Sequence, residues 1–305
     1  MALQVITDNI LKHKSNKQAT LAIYVDLSKA YDTISHTKLL NKLIDDFNFT
    51  ADTVQFFKSY FENRTQTTHT QHAKYKIITH GIPQGSTLST TFFLLYINDI
   101  KNTVPNSKVY TYADDTTLII TAKDTASART IRTHQLFPQQ QPSPKTNYTI
   151  FYPHKKHEEI HLHINGKTIE QNTDAKLLGI FIQNNLKYNK TISNIIKKLW
   201  PTIHSFKYAN KLLPTENMKQ LYYSQVYPHL LNAISVWGTD NNTRTYLKPL
   251  VTIQKRIIRL IANVPPRTHT KPIMTKLEIL NIPNLYTLRV SVEMHPFAYP
   301  TRPRN

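Results

Sequence analysis

Three aspartates stand where their surroundings give them little reason to be. Asp26 closes the apolar run Thr20-Leu-Ala-Ile-Tyr-Val-Asp-Leu27, and Asp114-Asp115 interrupt another between Val109 and Ile120. Carboxylates brought within about 4 Å repel each other unless a proton or a cation lies between them. A hard divalent ion is the simplest compensation, because magnesium takes oxygen ligands and commonly uses one or two carboxylates together with substrate phosphates. Two such ions can clamp the attacking and leaving oxygens of an in-line phosphoryl displacement. Taken alone, Asp114-Asp115 reads first as an ordinary turn, which Asp favours through local hydrogen bonds.

The elements that must position these acids follow from hydrophobic spacing. Residues 20–27 read as a buried strand, and Val109 to Ile120 as a hairpin with its acids at the turn. Helical spacing covers residues 2–12, 36–48 and 86–100, and His72 to His80 alternates like a strand. Residues 133–146, rich in Pro and Gln, read as a loop, followed by a strand at Asn147 to Tyr152. Ile160, Leu162 and Ile164 alternate with His161 and His163 before Asn165-Gly166, a hairpin signal. Leu177 to Ile182 is a further apolar run. Beyond about residue 183 the period is helical: Ile192 to Ile203, Met218 to Gln225 and Leu247 to Ile261. The expected class is α+β followed by a mostly helical region.

Composition narrows the partners. The 305 residues carry a formal net charge of +19, no Cys and only 5 Gly. Thiol chemistry, disulfides and cysteine-based zinc sites are therefore excluded. Residues 1–144 hold 15 basic and 11 acidic side chains, whereas residues 145–305 hold 23 and 8. The excess points to a polyanion, nucleic acid before an anionic membrane surface. No secretory signal or membrane span is visible, so an intracellular protein, nuclear or cytoplasmic, is expected. His154, His157, His161 and His163 could be taken for a metal cluster, but His161 and His163 fall on the outer face of an alternating strand. Trp200 and Trp237 read as core residues of the helical region.

Three stretches occur in order: Tyr24-Val-Asp-Leu-Ser-Lys-Ala-Tyr-Asp32, Gly81-Ile-Pro-Gln-Gly-Ser-Thr-Leu-Ser89 and Tyr112-Ala-Asp-Asp115. Together with Leu94 to Ile100 they resemble the palm of a reverse transcriptase from a non-LTR retrotransposon of the jockey-like kind. Lys145-Thr146, Leu177 to Ile182 and Leu250 to Val264 resemble, more weakly, later segments of that family, the second of them its primer-grip strand. The resemblance implies a right-hand polymerase palm, an antiparallel sheet with packed helices and partial fingers, over residues 1–185. A helical thumb and C-terminal region would follow over 186–305.

By the same resemblance, Asp26, Asp114 and the Leu27 carbonyl would bind two Mg2+ ions, with Mn2+ able to replace them. Asp115 would stand close by. Tyr31 would exclude a ribose 2′-OH, and Gln84 and Gly85 would lie under the templating base pair. Lys145 would protonate the departing pyrophosphate as a general acid. The partners would be dNTP and an RNA template with its DNA primer, and no membrane. Lys187, Lys190, Lys197, Lys198, Lys255, Arg256 and Arg259 would grip the hybrid backbone.

Some positions depart from the family. Thr90 stands where a Pro is usual, Gln183 where an acid is usual, and the Pro/Gln loop replaces an amphipathic helix. Only 25 residues precede Asp26, so the chain reads as N-terminally truncated, from a shortened element copy or an incomplete gene model. Without the fingers its polymerase activity is expected to be compromised. The alternative reading is a catalytically silent remnant that binds nucleic acid without specificity.

Overall fold

The computed structural model describes residues 2–26, 31–66, 76–83, 85–102, 107–112, 115–122, 145–152, 162–164, 167–238 and 240–298. Internal contacts divide the chain into two units, residues 10–172 and residues 1–9 with 173–305.

The first unit is built on a six-stranded sheet. In chain order the strands are β1 (Ala19–Asp26), β4 (Ser107–Tyr112), β5 (Asp115–Ala122), β6 (Asn147–Phe151), β7 (Leu162–Ile164) and β8 (Lys167–Gln171), and they lie in the order β4-β5-β1-β6-β8-β7. The short β2 (Thr65–Gln66) and β3 (Lys76–Ile77) pair separately. Strand β1 is interior and antiparallel to both β5 and β6. Its residues are buried on both faces up to Val25, which is why its sequence is a continuous apolar run. Leu21, Ile23 and Val25 join Leu118, Ile120 and Ile150 on the face packed by helices α2 (His36–Asp45), α3 (Ala51–Phe61) and α4 (Ser89–Ile97). Since β side chains alternate, Asp26 belongs to the opposite face with Ala22 and Tyr24.

Several expectations change here. Helix α4 starts at Ser89, and residues 86–88 form a turn in which Ser89 Oγ donates to the Pro83 carbonyl. Its end tightens into a 3-10 turn at Asn98–Asn102. Helix α3 has no counterpart among the sequence expectations. Its Phe56 is 62 % exposed while Phe61 is buried, so apolar residues on both faces blur its period. Within His72 to His80, only Lys76–Ile77 and a bridge from His80 to Ser35 are extended among the described residues.

In the second unit, Leu177 to Ile182 is not one strand. It turns back on itself as a hairpin of β9 (Asp174–Leu177) and β10 (Ile180–Gln183). Leu178 and Gly179 make the turn at φ 46° and 87°, a left-handed pair that glycine eases. Among the described residues seven helices follow: α5 (Asn189–Ala209), α6 (Thr215–Gln225), α7 (Tyr227–Leu231), α8 (Ile234–Trp237), α9 (Asp240–Ile261), α10 (Thr270–Leu277) and α11 (Ile282–Ala298). Ile192, Leu199, Ile203, Phe206, Trp237, Leu250, Ile257 and Ile258 are buried in its core. Trp237 behaves as expected, but Trp200 does not: it is 54 % exposed. It lies one residue beyond buried Leu199, about 100° around the helix, which turns it off the core stripe. Buried Gln254 donates to Tyr222 Oη and to the Leu280 carbonyl, both at 2.9 Å. Burial pushes the Tyr222 hydroxyl up to about 12, with the Gln254 hydrogen bond acting the other way.

Among the described residues no helix is long and apolar enough to cross a membrane.

Candidate active site

The antiparallel register of β1 and β5 sets Asp26 directly opposite Asp115. Directly opposed residues share a face of the sheet, with Cβ atoms about 4.5–5.5 Å apart. Asp115 is therefore not in the turn of the hairpin: it opens β5, paired on its other side with Tyr112. Asp114 and Leu27 lie outside the described residues. Like charges placed opposite one another destabilise a sheet. Here the pair comes at the sheet's end, with Asp26 half-buried and Asp115 exposed. Two hard carboxylates at a strand end, with oxygen donors only, suit a divalent cation of the magnesium class. No group of three or more His or acidic residues gathers among the described residues, so these two carboxylates are the described part of any such site.

Thr146 holds Asp26 from the other side. The Asp26 N–H donates to Thr146 Oγ1, and Thr146 Oγ1 faces the Asp26 carbonyl, both at 3.2 Å. Thr146 is 2 % exposed and precedes β6, whose Asn147 pairs with Tyr24. Lys145 stands in the turn before Thr146, outside β6. Lys145 is exposed.

Tyr31 stacks on Phe93 at 4.9 Å between ring centroids. Its carbonyl accepts from Ile82 N–H at 2.8 Å, and the Ile34 carbonyl accepts from Gly81 N–H at 2.7 Å. His36 Nε2 donates to the Gly81 carbonyl at 2.7 Å. Gly81 and Ile82 are thus strapped to residues 31–36, which brings the expected sugar-excluding Tyr31 beside Ile82. Gln84 lies outside the described residues. Gly85 sits at φ 90° with open space where a Cβ would be. A cleft of about 570 Å³ adjoins this strap, lined by Asp32, His36, Arg64, His80 and Gly81 among others.

The expected backbone-gripping cations lie in the second unit. Lys187, Lys197, Lys198, Lys255 and Arg256 are exposed. Lys190 is also exposed, but it pairs with Asp174 and lies 4.8 Å from the Phe181 ring centroid. Arg259 is half-buried, with its Nε donating to the Thr268 carbonyl at 2.8 Å. Lys190 and Arg259 therefore already serve the unit's own structure. Of the expected zinc candidates, His163 is exposed between buried Leu162 and Ile164. His154, His157 and His161 lie outside the described residues.

Sequence reasoning overlooked Thr146 as a support for Asp26, and His36 as a support for Gly81. Thr146 stood in the Lys145-Thr146 pair, where only the lysine suggested chemistry. Nothing in the sequence singled out His36.

Residues 2–182 match the reverse transcriptase (RNA-dependent DNA polymerase) family, and the chain belongs to that family. It is 24% identical to the RNA-directed DNA polymerase from mobile element jockey of Drosophila melanogaster, over 97% of this chain and 35% of that protein. The jockey polymerase of Drosophila funebris is 23% identical over 92% of this chain and 32% of its own length. A probable RNA-directed DNA polymerase from transposon BS of Drosophila melanogaster is 21% identical over 98% and 34%. The chain thus spans about a third of the length of these relatives. Among solved structures, telomerase from Candida albicans in complex with a fragment of telomeric RNA aligns over 91% of this chain and 53% of that one. The sequence identity is 10% and the TM-score 0.46.

Proposed function

We propose that the chain carries the palm and thumb of an RNA-directed DNA polymerase of a non-LTR element, adding dNTPs to a primer 3′-OH on an RNA template. The observation that carries this reading is the placement of Asp26 opposite Asp115 at one end of the sheet, in a chain of this family. Asp26, the Leu27 carbonyl and Asp114 are the proposed holders of two Mg2+ ions, with Asp115 beside them. Bound there, the ions would supply charge stabilisation to the attacking and leaving oxygens. The chain's own residues position and select. Tyr31 closes the space a 2′-OH would need, a rejection by steric exclusion. Gln84 and Gly85 support the template–primer base pair through contacts that read no sequence. Lys145 gives a proton to the pyrophosphate released when the primer oxygen joins the α-phosphorus. Lys187, Lys197, Lys198, Lys255 and Arg256 form the proposed phosphate-contacting surface of the thumb, which would hold an A-form hybrid by shape and backbone, while Lys190 and Arg259 are engaged within the unit. The proposed setting is intracellular, in nucleus or cytoplasm.

Primer extension on primed RNA tests the reading, with the chain alone and in the context of its longer relatives. Extension should require Mg2+ or Mn2+ and fall by at least about 100-fold in Asp114→Asn, as loss of electrostatic stabilisation commonly costs. Incorporation that survives this substitution undiminished would refute it.

A further inference from the structure

Helix α5 has two faces of different character. Ile192, Ile195, Leu199, Ile203 and Phe206 are buried in the helical unit. On the other face, at steps of three and four residues, come Lys197, Trp200, His204, Lys207 and Tyr208, all exposed. Trp200 is 54 % exposed and Tyr208 70 %. Residues 189–209 contain no acidic side chain.

A solvated basic face would explain the lysines but not the two large rings set between them. Alternating cations and flat aromatic rings match the chemistry of an unpaired nucleic-acid strand. Each nucleotide offers a phosphate to a lysine and a free π-face to a ring. In a duplex the bases are stacked on each other and offer only backbone. Trp200 and Tyr208 are separated by about 12 Å along the helix, room for several bases at about 3.4 Å each.

We propose that this face of α5 is a single-strand binding platform, with bases stacking on Trp200 and Tyr208 and phosphates held by Lys197 and Lys207. The charge complementarity commits it to a polyanion. Its apolar members are rings rather than aliphatic chains, which favours a nucleic-acid strand over a lipid surface. The proposal goes beyond the polymerase reading, which asks of this region only backbone contacts to a duplex, and uses neither Asp26 nor Asp114.

The chain has two tryptophans, and Trp237 is fully buried with its indole N–H donating to the Asn232 carbonyl at 2.7 Å. Intrinsic fluorescence quenched by added bases therefore reports on Trp200. Titration with oligo(U) and oligo(dT) should give saturable quenching, and the tighter of the two identifies the strand. Anisotropy of labelled oligonucleotide should show the double variant Trp200→Ala/Tyr208→Ala binding at least about tenfold more weakly. Its salt dependence should remain, while Lys197→Gln/Lys207→Gln should flatten it by about 1.4 in log–log slope. The far-ultraviolet circular dichroism of each variant checks that α5 is retained. Unchanged affinity in the aromatic variant would overturn the proposal. So would equal quenching by the matching duplex, or a blue shift with anionic vesicles in place of quenching by oligonucleotides. Asp26→Asn should bind and quench like the parent, so failure here and failure of the polymerase reading are separable.

Discussion

Gly81 runs so close to residue 32 that a Cβ would lie 2.9 Å from the Asp32 Cα, at a backbone φ of 91°. Gly85 shares the positive φ but has open space around the same position. Gly81→Ala should therefore cost about 1–3 kcal/mol for the backbone conformation, plus the cost of parting the strap. Gly85→Ala should cost the first component alone. Urea midpoints of the two variants measure the difference, and equal losses would mean that the strap is not rigid. A second prediction concerns Thr146. Thr146→Val removes the hydroxyl that bonds the Asp26 backbone and should cost about 1 kcal/mol, which Thr146→Ser restores. If Val and Ser behave alike in chemical denaturation, the hydroxyl is not what holds Asp26. The carboxylates were legible in sequence because a charge in an apolar strand demands a reason. Thr146 was not, since its partner is 120 residues away and a threonine just before a strand suggests no chemistry.

Elements were legible where burial leaves a regular trace, a continuous apolar run in a strand covered on both faces or an apolar stripe on a helix with one wet face. Strand β1 shows as a continuous apolar run, and α5, α6 and α9 follow helical apolar periods, whereas the shorter α7, α8 and α10 and the C-terminal α11 have no counterpart among the sequence expectations. Helix α3 escaped because its aromatic residues lie on exposed and buried faces alike. The β9–β10 turn was hidden inside a run of apolar residues, where Gly179 was the available sign. Helix α1 (Ala2–Ser15) shows how an element end can be tied by a titratable group. His13 lies within hydrogen-bond distance of the hydroxyls of Thr20 and Thr121. Burial lowers its pKa, helped by Lys108 and Lys12. A lowered folded value means that the unfolded chain takes up the proton first. The stabilisation tied to neutral His13 is then complete above about pH 6.5 and lost as pH falls towards the lowered value. The stability difference between the parent and His13→Gln should shift against the parent as pH falls from about 7 to about 5, while the other histidines cancel in the comparison. A gap independent of pH would contradict this.

At the scale of the whole molecule, the charge of +19 has a location and two characters. The carboxylate pair belongs to the unit of residues 10–172, and Lys187, Lys197, Lys198, Lys255 and Arg256 to the unit containing residues 173–305. The excess of Lys and Arg is visible from composition alone and is what makes salt-sensitive binding to a polyanion the expectation. The exposed rings of α5 were not foreseeable, because a tryptophan beside a core stripe reads as core until its angle around the helix is known. The proposed divalent-cation site at the end of β1 and β5 can be tested apart from catalysis, without the remainder of the longer relatives. Electron paramagnetic resonance of Mn2+ titrated into the folded chain measures it directly. The account predicts saturable binding that Mg2+ displaces and that Asp26→Asn weakens by at least about tenfold with the fold intact. Mn2+ binding of the same strength in Asp26→Asn as in the parent would contradict it.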